Sequence, residues 1–151
     1  MIIRLPHISN FTDFDPLKQI SGISVRFVNR IPDLESADLI ILPGSKNTLF
    51  DLRFLHEKGF AEKLNHLSGR TWILGICGGF QMLGEAVEDP NNMEYSGASG
   101  EAETSGIGGC ESGLGLLPMT TVLEGDKKLV RRRYKGINWL NGLDWSGYEI
   151  L

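Results

Sequence analysis

The sequence is short of the residues that several chemistries demand. Only two cysteines occur among 151 residues, Cys77 and Cys110. A chain of this length can bury a core without disulfide staples. Two thiols therefore fit a reducing, cytoplasmic setting in which they serve chemistry or packing. Histidine is scarcer still in useful places: His7, His56 and His66 are the full set, and none follows residue 66. Without a CxxC pair or a His-rich cluster, no metal site is expected. No apolar run approaches the roughly 18 residues that span a membrane, and the first residues lack the apolar segment of a secretory signal. A membrane partner is therefore not expected. Positive charge is also lacking: 15 Lys and Arg against 19 Asp and Glu leave a net charge of −4. That balance offers no stripe to neutralise phosphates and argues against a nucleic-acid partner. The one basic cluster, "KKLVRRR" (Lys127–Arg133), reads as a solvated face or a docking edge.

What the chain does have is a series of short apolar, β-branched runs. These are "IIRL" (Ile2–Leu5), "ISVRFV" (Ile23–Val28), "DLIIL" (Asp38–Leu42) and "TWILGI" (Thr71–Ile76). They are continuous rather than alternating, as in parallel strands buried on both faces. Helical patterns lie between them. "DPLKQI" is short, whereas "TLFDLRFLHEKGFAEKLNHL" (Thr48–Leu67) places Leu49, Leu52, Phe54, Leu55, Phe60 and Leu64 along one apolar stripe. Strands alternating with helices predict one α/β domain, with a doubly wound, mostly parallel sheet and helices on both faces. The stretch from Asp89 to Gly115 is dense in Gly, Ser and Glu and nearly free of aliphatic residues. It reads as a flexible segment, centred on 91–112, that is either a connector or a loop closing over a ligand. "GLLPMTTVLE" and "WSGYEIL" beyond it read as further strands, antiparallel or at a sheet edge.

The stretch "WILGICGGFQMLG" (Trp72–Gly84) carries the chemistry. Gly75-Ile76-Cys77-Gly78-Gly79 has the form G-x-C-x-G at an expected strand-to-helix junction, the cysteine version of a nucleophile elbow. Flanking glycines suit such a turn because a side chain there would strike the strand or the helix. The sulfur would sit near a helix N-terminus, which favours thiolate, and the Gly78 amide would face a developing oxyanion. A small buried core thiol is the competing reading of Cys77. A second turn, Pro43-Gly44-Ser45, ends another apolar strand, and ligands of open α/β sheets bind at the carboxyl ends of strands. Its amides could complete an oxyanion hole, or it could simply lead into a helix capped by Ser45 or Asn47. His56 and His66 fall at expected surface positions of that helix. His7 reads as ordering the first loop rather than as a base, and Cys110 as incidental to the glycine-rich segment.

With both turns placed, the sequence resembles the class I (triad-type) glutamine amidotransferases, and within them the C-terminal glutaminase domain of cobyric acid synthases. The matching segments are "IRLPHISNFTDFDPL", "ADLIILPGSKNTLFDLRFL", "ILGICGGFQMLGEAVEDP", "GLGLLPMTT" and "GYEI", in order from one end to the other. The "SNFTDFDPL" opening favours this group over the sister cobyrinic acid a,c-diamide synthases and lipid II amidating glutaminases, which remain the near alternative. The resemblance implies a flavodoxin-like fold with glutamine as substrate. Cys77 would be the nucleophile, Gly44 and Gly78 the oxyanion donors, and Ser45 and Gln81 would lie beside the substrate. It further implies a partner: an ATP- and corrinoid-binding synthetase domain that receives ammonia. No cofactor is expected in the glutaminase part. ATP and Mg would belong to the synthetase, since this chain has no G-x-x-x-x-G-K-[ST]. The family's catalytic histidine would fall beyond Leu151. Residues 1–151 are thus expected to form a partial domain, incomplete at its C-terminus, with little glutaminase activity alone. A non-catalytic module on the same elbow, or a cysteine hydrolase of another substrate, are the competing functions.

Overall fold

Ile2–Ile3, Phe27–Val28, Leu39–Leu42 and Trp72–Gly75 form strands β1 to β4. The computed structural model describes residues 1–94, 109–125, 129–138 and 141–150. The four strands pair in the order β2-β1-β3-β4, and every neighbouring pair is parallel. Ile2 lies opposite both Phe27 and Ile41, and the β3–β4 register runs from Leu39–Trp72 to Leu42–Gly75. This is the strand order of a flavodoxin-like α/β sheet. Its winding direction reverses between β1 and β3, where such folds open a crevice at the carboxyl ends of the strands.

Ile40, Ile41 and Leu42 are buried in succession, as a strand covered on both faces requires. β4 departs from the expected two-sided burial. Trp72 is 77% and Leu74 47% exposed, because β4 is the last strand of its sheet and one face is open among the described residues.

Asp15–Lys18 forms the short α1. The expected helix over Thr48–Leu67 is two helices, α2 (Thr48–Glu57) and α3 (Phe60–Leu67). The break is at Gly59, whose φ of 76° is open to glycine and strained for other residues. The apolar stripe survives the break: Leu49, Leu52, Leu55, Phe60 and Leu64 are buried, and Phe54 stacks on Phe60 with centroids 6.0 Å apart. Each such side chain stabilises the fold by about 1.5–3 kcal/mol on burial.

Gly78–Met82 is α4. Beyond it, β5 (Ala86–Asp89) pairs antiparallel with β6 (Gly109–Ser112) and parallel with β7 (Thr120–Val122), in the order β6-β5-β7. β8 (Leu129–Lys135) and β9 (Asp144–Ile150) form a separate antiparallel ribbon, with Arg131, Arg132 and Arg133 exposed on β8. The glycine-rich segment has structured ends. Gly109–Ser112 is a strand opposite β5, and exposed Cys110 faces Glu88 across the pair. On the other side, buried Asp89 accepts the amides of Met93 and Glu94 at 2.7 and 2.9 Å. Residues 95–108 lie outside the described residues, and with them most of the expected loop. No described helix is long and apolar enough to cross a membrane.

Candidate active site

The site is built from two turns that leave neighbouring strands at their carboxyl ends. At the end of β4, Cys77 takes φ 51° and ψ −116° and is exposed. That conformation costs a non-glycine residue about 1–3 kcal/mol, so the surroundings must impose it. They do so through two neighbouring glycines. A Cβ on Gly75 would come within 2.6 Å of the Phe80 backbone, and one on Gly79 would run into the Leu42 carbonyl. The carbonyl of Cys77 then accepts the amides of Phe80 and Gln81 at 2.9 and 3.1 Å and starts α4. With only five residues in α4, the Gly78 amide matters more to the sulfur than a helix dipole does. That amide has no hydrogen-bond acceptor among the described residues.

The second turn, after β3, presses directly on the first. A Cβ on Gly44 would lie 3.6 Å from Cys77 Cβ, and one on Gly78 would lie 3.1 Å from the Ser45 nitrogen. Any side chain at either position would fill the space between the turns. The Gly44 carbonyl accepts the Ser9 amide at 2.8 Å. In a trans peptide, the Ser45 amide must then point the opposite way, away from Ser9. Neither the Gly44 nor the Ser45 amide has an acceptor among the described residues. Among the described residues, three unpaired backbone donors thus lie in the two turns that meet at Cys77, an arrangement that can receive an oxyanion.

Ser45 lies against Gly78 where the two turns meet, with one refinement. The Ser45 hydroxyl donates to Asp51 Oδ2 at 2.6 Å and accepts the Asn47 amide at 2.9 Å. What Ser45 can still donate is its backbone amide. The helix cap is Asn47, whose side chain accepts the Phe50 amide at 3.0 Å. Gln81 is half-buried one turn beyond Cys77.

No described histidine hydrogen-bonds the sulfur. His56 Nε2 lies 2.7 Å from the Ser112 carbonyl, and His66 is exposed at the end of α3. His7 does order the first loop, through a residue that the sequence reading passed over. Asp51, fully buried on α2, accepts the His7 amide at 3.1 Å and lies 3.1 Å from His7 Nδ1. The available signal was an acidic residue on the apolar stripe of α2, next to Leu52 and one turn before Leu55. No group of three or more metal-ligating side chains occurs among the described residues. A cleft of about 840 Å³ opens on the other side of the first loop, lined in part by Arg4, Leu5, Phe11, Phe54 and Lys58, without Cys77.

Residues 1–150 match the model of the CobB/CobQ-like glutamine amidotransferase domain. The chain belongs to that family. Within the family it is similar to cobyric acid synthases: 39% identical over 150 residues to that of Herpetosiphon aurantiacus, 43% over 152 to that of Nostoc punctiforme, and 42% over 149 to that of Clostridium botulinum. Each match takes in 99% of this chain and 28% of the relative. The chain thus spans a little over a quarter of the length of those synthases, with the remainder of each lying outside the matched region.

Proposed function

We propose that this chain is the glutaminase part of a cobyric acid synthase, working in the cytoplasm with an ATP-dependent synthetase domain. Cys77 Sγ attacks the side-chain carbonyl carbon of glutamine, and the S–C bond forms as the carbonyl becomes an oxyanion. The amides of Gly78 and of the Gly44–Ser45 turn receive that charge, while Ser45 and Gln81 border the substrate. The C–N bond then breaks, ammonia departs with a proton, and a γ-glutamyl thioester remains. Water releases glutamate and restores the thiol. The ammonia serves amidation of corrinoid side-chain carboxylates in adenosylcobalamin biosynthesis.

The observation that carries this reading is the meeting of the strained Cys77 turn with the Gly44–Ser45 turn, in a chain of this family. A core thiol would require neither the φ of 51° nor the exposure of Cys77. The test is amidation of a corrinoid substrate by the synthase that carries this chain, with glutamine or ammonium as the nitrogen source. Cys77→Ala is expected to abolish glutamine-dependent product and leave ammonium-dependent product intact. Equal activity of the variant with glutamine would overturn the reading. Residues 1–151 alone are expected to give little steady-state glutamate, because no described histidine reaches the sulfur as a base. Ready turnover, lost in Cys77→Ala, would contradict that expectation.

A further inference from the structure

We propose that Asp51 is a positioning residue for the oxyanion turn, acting through Ser45 and the His7 loop without touching substrate. The inference rests on the glutaminase reading above. Asp51 is fully buried in the first turn of α2. Its Oδ2 takes the Ser45 hydroxyl at 2.6 Å and lies 3.3 Å from the His7 amide. Its Oδ1 takes that amide at 3.1 Å and lies 3.1 Å from His7 Nδ1. A carboxylate only accepts, so the imidazole presents Nδ1–H to it. One carboxylate therefore clamps both chains that border the site.

Those chains are also joined directly. Ser9 donates to the Gly44 carbonyl and Lys46 to the His7 carbonyl, each at 2.8 Å, as an antiparallel bridge between Ile8 and Ser45. The bridge sets the plane of the Gly44–Ser45 peptide, hence the direction of the Ser45 amide. Asp51 holds both strands of the bridge, one through His7 and the other through Ser45. Without it, the turn keeps its sequence and its glycines but loses what holds the peptide plane against the His7 loop. A buried carboxylate with three satisfied donors is too costly to be incidental. A structural role alone would be satisfied by bonds anywhere along α2, whereas these hold Ser45 in the turn beside Cys77 and His7 in the loop bridged to that turn.

Two alkylating agents separate positioning from general structure. The γ-chloroketone analogue of glutamine reacts through a tetrahedral oxyanion adduct. The sulfur adds to the ketone carbon and the thiol proton passes to solvent; the sulfur then bonds to the neighbouring carbon as the C–Cl bond breaks and chloride leaves, and the first S–C bond breaks as the carbonyl re-forms. Iodoacetamide displaces iodide directly and needs no oxyanion donor. In Asp51→Asn, the limiting rate of Cys77 alkylation by the chloroketone is expected to fall at least about tenfold, below the full loss of an oxyanion donor. Its half-saturating concentration and the iodoacetamide rate should each change less than about twofold under the same positioning logic. Ser45→Ala removes one donor and leaves Asp51 with His7, so a smaller fall of the same kind is expected. That variant decides the matter if Asp51→Asn does not fold. Unchanged chloroketone rates in both variants would overturn the proposal, as would equal losses with the two reagents. If the unaltered chain is not alkylated by the chloroketone but is by iodoacetamide, the glutaminase reading fails and the proposal with it.

Discussion

At Cys77 the chain is bent by exclusion, and at Gly44–Ser45 it is held by attraction. Among the described residues the elbow has no side-chain hydrogen bonds of its own; φ 51° persists because Gly75 and Gly79 pack against the Phe80 backbone and the Leu42 carbonyl with no room for a Cβ. The neighbouring turn carries a network: Asp51, Ser45, Asn47, the His7 amide and the bridge to Ser9. Sterics hold the proposed nucleophile and polar contacts hold the amides that would face it. The two should therefore fail in different ways.

The largest effect is expected at Gly79. Gly79→Ala places a methyl on the Leu42 carbonyl, and the overpacking should cost about 3 kcal/mol or more, read as a fall in the urea midpoint. A stability change below about 0.5 kcal/mol would show that the elbow is more plastic than its packing implies. Next comes the sign test at Cys77. Cys77→Gly removes the strain of a side chain at φ 51° and should raise stability by about 1 kcal/mol while ending alkylation at residue 77. A destabilised variant would deny that the elbow is strained. Asn47→Ala deletes the α2 cap and should cost about 1 kcal/mol, with the iodoacetamide rate at Cys77 unchanged.

The smallest effect lies far from both turns. Lys63 hydrogen-bonds Glu35 and holds its carboxyl below the ordinary glutamate range. Stability from that pair is present above the unfolded pKa of Glu35 and lost as pH falls through the lower folded value. Glu35→Gln should slightly flatten acid unfolding, followed by circular dichroism, and leave Cys77 alkylation as it was. Because Glu35 is solvent-exposed, the change should be small.

How much of this was legible in the sequence differs between the same two turns. The elbow is written in glycine spacing, and "GICGG" after an apolar run announces a tight strand-to-helix junction before any coordinates. The parallel strands were equally plain, since Ile2, Ile3 and Ile40–Leu42 are buried without alternation. The polar network was not legible. His7 and Asp51 are 44 positions apart, and nothing local to either tells that β1 and β3 are adjacent. The helix break at Gly59 was hidden because the apolar stripe continues in register through it. The exposed Trp72 and Leu74 were hidden too, because strand burial depends on what covers a sheet and not on the strand's own residues.

Cys110 supplies the control for the most direct test, being a second free, exposed thiol in the same chain. The chain is treated with the γ-chloroketone analogue of glutamine, with and without excess glutamine, and adducts are located by peptide mass spectrometry. The account predicts one adduct, on Cys77, suppressed by glutamine. Equal labelling of Cys77 and Cys110, indifferent to glutamine, would contradict it.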